Sequence, residues 1–115
     1  MKYALLIYED EAIYGPDKNG PALQEMVGKH MTFNQELGDR RIGGSGLKAT
    51  NTATTVRTRN GSKSIHDGPF AEAREQLGGF YLIDVPDLDA AIEVAKKIPV
   101  LQDGSIEIRP LLGPG

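Results

Sequence analysis

The chain holds few groups able to do chemistry, and their types narrow what that chemistry is. It contains no cysteine, which removes thiol nucleophiles, thiolate zinc sites and disulfide frameworks and leaves oxygen and imidazole groups. His30 and His66 are the side chains that ordinarily titrate near neutrality. His30 falls on or beside an apolar stripe of Leu23, Met26, Val27, Phe33 and Leu37 at helical spacing. Its imidazole is therefore either buried against one backbone partner or turned into a cleft as a general acid or base. His66 and Asp67 are neighbours on an extended segment, so they point to opposite faces and form no dyad with each other. Asp67 precedes Gly68-Pro69, a setting in which a carboxylate commonly accepts main-chain N–H bonds. The same group could instead act as a ligand or a general base.

The remaining charged pairs are less specific. Glu72 and Glu75 stand three apart and would share one face of a helical turn, where paired carboxylates can raise one pKa or bind a cation. Arg74 between them argues for a plain solvated turn. Residues Arg40 to His66 carry six basic side chains and no acid, whereas the rest of the chain has 7 basic and 16 acidic residues. Within that basic segment Arg57 and Arg59 share one sheet face, able to receive a carboxylate or phosphate or to pair with acidic neighbours across a dimer. The letters Gly44-Ser45-Gly46-Leu47-Lys48-Ala49 resemble a dinucleotide fingerprint, but they precede a Thr-rich extended stretch instead of a helix. Neither histidine belongs to a metal-ligand cluster. No cofactor and no metal are expected.

The elements that must position these groups are readable from periodicity. Met1 to Tyr8 is a strand with both faces apolar, so something must cover each side. Gly15-Pro16-Asp17 and Asn19-Gly20-Pro21 predict turns, and a helix runs from Pro21 to about Arg40. A short strand is expected over Ile42 to Leu47. Ala53 to Arg59 and Ser62 to His66 form a hairpin around Asn60-Gly61, the dipeptide favoured where both turn residues need positive φ. Glu72 to Leu77 suggests one helical turn, and Phe80 to Val85 is again apolar on both faces. Asp87 caps a helix with Leu88, Ala91, Ile92, Ala95 and Ile98 on one side, ended by Pro99, and Ser105 to Leu112 is the last strand.

The order strand, helix, strand, inserted hairpin, strand, helix, strand predicts an α+β, ferredoxin-like βαββαβ domain over residues 1–115. Two strands apolar on both faces predict a homodimer with facing sheets, a dimeric α/β barrel. A net charge of −3 excludes a globally basic nucleic-acid binder. The longest apolar run near the start, Ala4 to Tyr8, is too short for a membrane span or a signal peptide, so a cytoplasmic protein is expected.

The stretch Asp67-Gly68-Pro69-Phe70-Ala71-Glu72-Ala73-Arg74-Glu75-Gln76-Leu77-Gly78-Gly79-Phe80 resembles the DGPF-motif branch of the YCII-related family. The resemblance extends to Lys2-Tyr3 through Glu9, to Thr55-Val56-Arg57, to Leu88 through Pro99 and to Ile106-Glu107-Ile108-Arg109-Pro110. It implies a dimeric α/β barrel among proteins mostly of unknown activity, some encoded beside or fused to extracytoplasmic-function sigma factors. Shorter members are thought to use a helix-borne histidine with an aspartate after the second strand. His30 resembles the first, but Gly43 to Asn51 contains no aspartate, so the dyad is incomplete here.

Two functions fit. One is an enzyme moving a proton through His30 or Asp67 on a small anionic molecule, oriented by Arg57 or Arg59 in a shared cleft. The other is a non-catalytic ligand-binding or regulatory partner, for example of a sigma factor. The turn at Asp67-Gly68-Pro69-Phe70 is expected to bury Phe70 as an anchor and to have Asp67 accept main-chain hydrogen bonds.

Overall fold

A computed structural model describes residues 1–15 and 20–113; the turn expected at Pro16–Asn19 lies outside the described residues. The chain runs β1 (Lys2–Glu9), α1 (Pro21–Leu37), β2 (Arg41–Gly46), β3 (Thr54–Arg59), β4 (Ser62–Asp67), β5 (Gln76–Asp84), α2 (Leu88–Lys97) and β6 (Ser105–Pro110). Short 3-10 turns occupy Glu11–Tyr14, Gly38–Arg40 and Thr50–Thr52. Four strands form one antiparallel sheet in the order β2-β5-β1-β6, and β3 and β4 form a separate two-stranded sheet. This is the ferredoxin-like α+β arrangement with an inserted hairpin.

Alternation explains where the core sits. Tyr3, Leu5 and Ile7 of β1 and Tyr81 and Ile83 of β5 point to one face and are buried, joined by Phe33 and Leu37 of α1 and by Ala91 and Val94 of α2. Leu5 and Ile83 are fully sealed, at 0% exposure. The other face of these strands, carrying Ala4, Leu6, Tyr8, Phe80 and Leu82, is only half-buried. α2 begins as expected: the Asp87 carboxylate accepts from the Ala90 N–H at 2.9 Å. Its buried side is Ala91, Val94, Ala95 and Ile98, while Leu88, expected on that side, stays half exposed. Among the described residues no helix is long and apolar enough to cross a membrane.

Three local expectations are corrected. Glu72 to Leu77 makes no helical turn; β5 starts at Gln76, because pairing of Gln76 and Leu77 with Glu9 and Tyr8 extends the sheet instead. The Gln76 side chain holds the preceding loop by donating to the Ala73 carbonyl at 2.7 Å. Phe70 is not a buried anchor but 73% exposed, since the hairpin stands apart from the four-stranded sheet and has no core behind it. Its ring lies beneath the Arg57 guanidinium at 5.4 Å. Asp67 is exposed, and among the described residues no main-chain N–H donates to its carboxylate. Gly68, at φ +119°, turns its own N–H to the Ala53 carbonyl at 2.8 Å, and Thr55 Oγ1 donates to the Gly68 carbonyl at 2.8 Å. The chain thus makes the turn without the aspartate. At the hairpin tip Asn60 (φ 51°) and Gly61 (φ 81°) adopt the two left-handed conformations that Asn-Gly predicts.

Candidate functional site

α1 lays Met26, His30, Phe33 and Leu37 along one stripe, and the three apolar members are buried while His30 is half-buried at a cavity edge. The cavity, about 780 Å³, opens between α1 and the end of the sheet where β2 meets β5. That size is typical of a site for a small organic ligand. A histidine on the stripe therefore replaces one apolar contact with a polar group facing space.

β5 supplies its partner. Tyr81 is 5% exposed, and a buried phenol needs a hydrogen-bond partner. His30 Nδ1 and Tyr81 Oη are 2.6 Å apart, with the two rings stacked at 5.8 Å and 21°. Phe33 meets the same phenol ring edge-on at 5.3 Å, fixing its plane from the side.

β2 supplies the charge. Its register slips between Arg41 and Gly43, a bulge that lets Arg41 oppose Ile83 and face the helices while Ile42 is left exposed. The guanidinium then sits 5.9 Å from the Tyr81 ring centre and donates through Nη2 to the Gly44 carbonyl at 2.9 Å. Gly44 is required there: its φ is +143°, and a Cβ would lie 2.6 Å from the Phe80 carbonyl oxygen. Among the described residues Arg41 Nε is buried without a hydrogen-bond partner, as is Asn34 Oδ1, one helical turn beyond His30 on the same cavity wall.

The acids of the cavity are engaged in holding structure. Glu9 accepts from the Tyr14 hydroxyl at 2.8 Å and from the Leu101 N–H at 3.0 Å. Glu11 accepts from the Thr50 N–H at 2.8 Å and the Thr50 hydroxyl at 2.9 Å. Neither Arg41 nor Lys48, the two cavity-lining cations, makes an ion pair among the described residues.

Burial lowers the His30 pKa below its ordinary 6.5, opposed by the Glu9 carboxylate and a Pro99 main-chain hydrogen bond. The imidazole is thus neutral at pH 7. Burial also raises the Tyr81 phenol, with Arg41 pulling the other way. Tyr14 is pushed far above the usual tyrosine range by burial and then by its hydrogen bond and proximity to Glu9.

Of the candidate site residues His30, Asp67, Arg57, Arg59, Glu72 and Glu75, His30 alone lines this cavity. Asp67, Arg57 and Arg59 lie on the hairpin and Glu72 and Glu75 on the exposed loop after it, so the protomer brings none of them to His30. The acid-free segment does supply the cavity, but through Arg41 and Lys48. Tyr81 and Asn34 went unnoticed; a tyrosine inside an otherwise apolar strand was the available signal, because its hydroxyl must find a partner. Among the described residues no group of three His, Asp or Glu is placed to hold a metal ion.

A ferredoxin-like sheet with two helices on one face and a histidine-bearing cavity at the α1 edge defines the class of protein. The chain matches the YCII-related domain over residues 1–113 and belongs to that family. It is 35% identical to an uncharacterized protein of Rhizobium meliloti (strain 1021), over an alignment covering 96% of this chain and 92% of the relative.

Proposed function

We propose that this YCII-related protein is an acid–base enzyme acting on a small organic anion in the cavity beside His30. The observation that carries the reading is the 2.6 Å contact between His30 Nδ1 and Tyr81 Oη, with the Arg41 guanidinium beside the same phenol ring. With one ring N–H on the Pro99 carbonyl, the neutral imidazole accepts through Nδ1 the proton that Tyr81 Oη gives up as that oxygen takes a proton from a carbon next to the anionic group. The electron pair left on the ligand is delocalised toward its oxygen, where Arg41 opposes the developing charge. In heavy water the wild type should exchange deuterium into the acidic C–H position of one of a panel of 2-oxo and 3-oxo carboxylates. His30→Gln should slow that exchange by about 100-fold or more. Exchange that is equally fast in His30→Gln would overturn the reading.

A second reading, a non-catalytic regulatory partner such as a sigma-factor ligand, is supported by the hairpin. Val56 and Ile65 oppose each other across β3 and β4 and are 60% and 76% exposed, beside the exposed Phe70 of the DGPF-type motif. A homodimer with facing sheets is supported by the half-buried Leu6, Tyr8, Phe80 and Leu82 on the side away from the helices. A monomer mass from small-angle scattering at micromolar concentration would reject that assembly.

A further inference from the structure

The mouth and the floor of the cavity differ in chemistry. Val27, Met31 and Leu47 are 45%, 62% and 47% exposed, and all three line the cavity. Of the eleven large apolar side chains exposed among the described residues, these three are the ones that line the cavity, where a ligand would enter. Further in lies half-buried Arg41, with no carboxylate partner among the described residues and with Nε lacking any hydrogen bond. The two acids near it, Glu9 and Glu11, already accept hydrogen bonds through both oxygens. A charged floor beneath an apolar mouth matches a molecule with the same two ends.

We propose that the cavity takes an amphiphilic carboxylate, its head group on Arg41 and a hydrocarbon body of roughly six to eight carbons against Val27, Met31 and Leu47. This rests on the anion reading above and adds the ligand's apolar part. A planar carboxylate suits a guanidinium, which can turn two N–H groups toward it, and Arg41 lines the cavity without an ion-pair partner among the described residues. Methionine at the mouth adapts to either a chain or a ring, having three rotatable bonds and no branch. Because Val27 and Met31 sit four apart on one helix face, a single extended body would touch both.

The test is a binding series read by NMR without turnover, using acetate, butyrate, hexanoate and octanoate, with 1-hexanol as the uncharged control. Affinity should rise about two- to fourfold per added methylene up to octanoate, and 1-hexanol should bind at least about tenfold more weakly than hexanoate. Arg41→Gln should weaken every carboxylate by about tenfold while preserving the chain-length trend. The double substitution Val27→Ser with Met31→Gln, at exposed positions that the fold does not need, should flatten the trend and leave acetate unchanged. A flat series in the wild type, or 1-hexanol binding as well as hexanoate, would overturn the proposal. So would loss of self-association in the double variant with hexanoate affinity intact, which would assign the mouth to a second copy. A flat series together with His30-dependent deuterium exchange would refute the apolar body alone and leave the acid–base reading standing. A rising series without that exchange would do the reverse.

Discussion

The β3–β4 hairpin and the α1–β5 wall both carry side chains able to do chemistry, yet they differ in what lies behind them. The hairpin holds the most distinctive letters of the sequence, Asp67-Gly68-Pro69-Phe70, and two arginines on one face, but it is a two-stranded sheet with every residue of β4 exposed. The α1–β5 wall looks unremarkable in sequence, yet it rests on Leu5 and Ile83 and so can hold a phenol, an imidazole and a guanidinium in fixed relation. Chemistry needs side chains whose rotamers are locked by packing. A conspicuous motif on an unpacked hairpin lacks that support, whereas a histidine embedded in an apolar stripe has it.

Substitutions that probe packing separate the two regions most strongly. Ile83→Ala should cost about 2–5 kcal/mol, while Ile65→Ala on the hairpin should stay within about 0.5 kcal/mol, both from urea midpoints. Comparable losses at the two positions would mean that the hairpin is covered in solution. Tyr81→Phe keeps the ring that Phe33 packs against but removes the hydroxyl, and should cost about 1 kcal/mol. No change would show that the His30 contact contributes nothing to stability.

Acidification sharpens the same contrast. The folded His30 pKa lies below the unfolded value of 6.5, so the unfolded chain binds that proton first as pH falls. The His30 contribution is therefore fully present above about pH 6.5 and declines below it, down to the folded pKa. His30→Gln should lose less stability than wild type between about pH 7 and about pH 5; identical slopes would mean that the imidazole is freely hydrated. The smallest effect is expected at Asp67→Ala, within about 0.5 kcal/mol, because its carboxylate is exposed and receives no main-chain donor. A loss of 1–3 kcal/mol there would restore the anchoring role that the sequence suggested.

What could be read in the letters follows from the range of the physics involved. Alternation in Tyr3, Leu5 and Ile7, the stripe through Met26, His30 and Phe33, the Asp87 cap and the Asn60-Gly61 turn are local patterns, and each led to the right element. His30 was found for the same reason. Tyr81 and Arg41 were not, because their meeting depends on β2 pairing with β5 across some forty residues and on a one-residue bulge at Ile42. Phe70 was misplaced since an aromatic near a glycine turn looks like an anchor unless the hairpin is known to leave the sheet.

The most direct test maps a small carboxylate onto the protein by NMR, titrating hexanoate and following every assigned backbone and side-chain signal. The account predicts the largest shifts at His30, Arg41, Tyr81 and Val27, saturating together with one affinity, and no shift along Thr54–Asp67. Shifts centred on Arg57, Asp67 and the hairpin, with His30 unmoved, would contradict it.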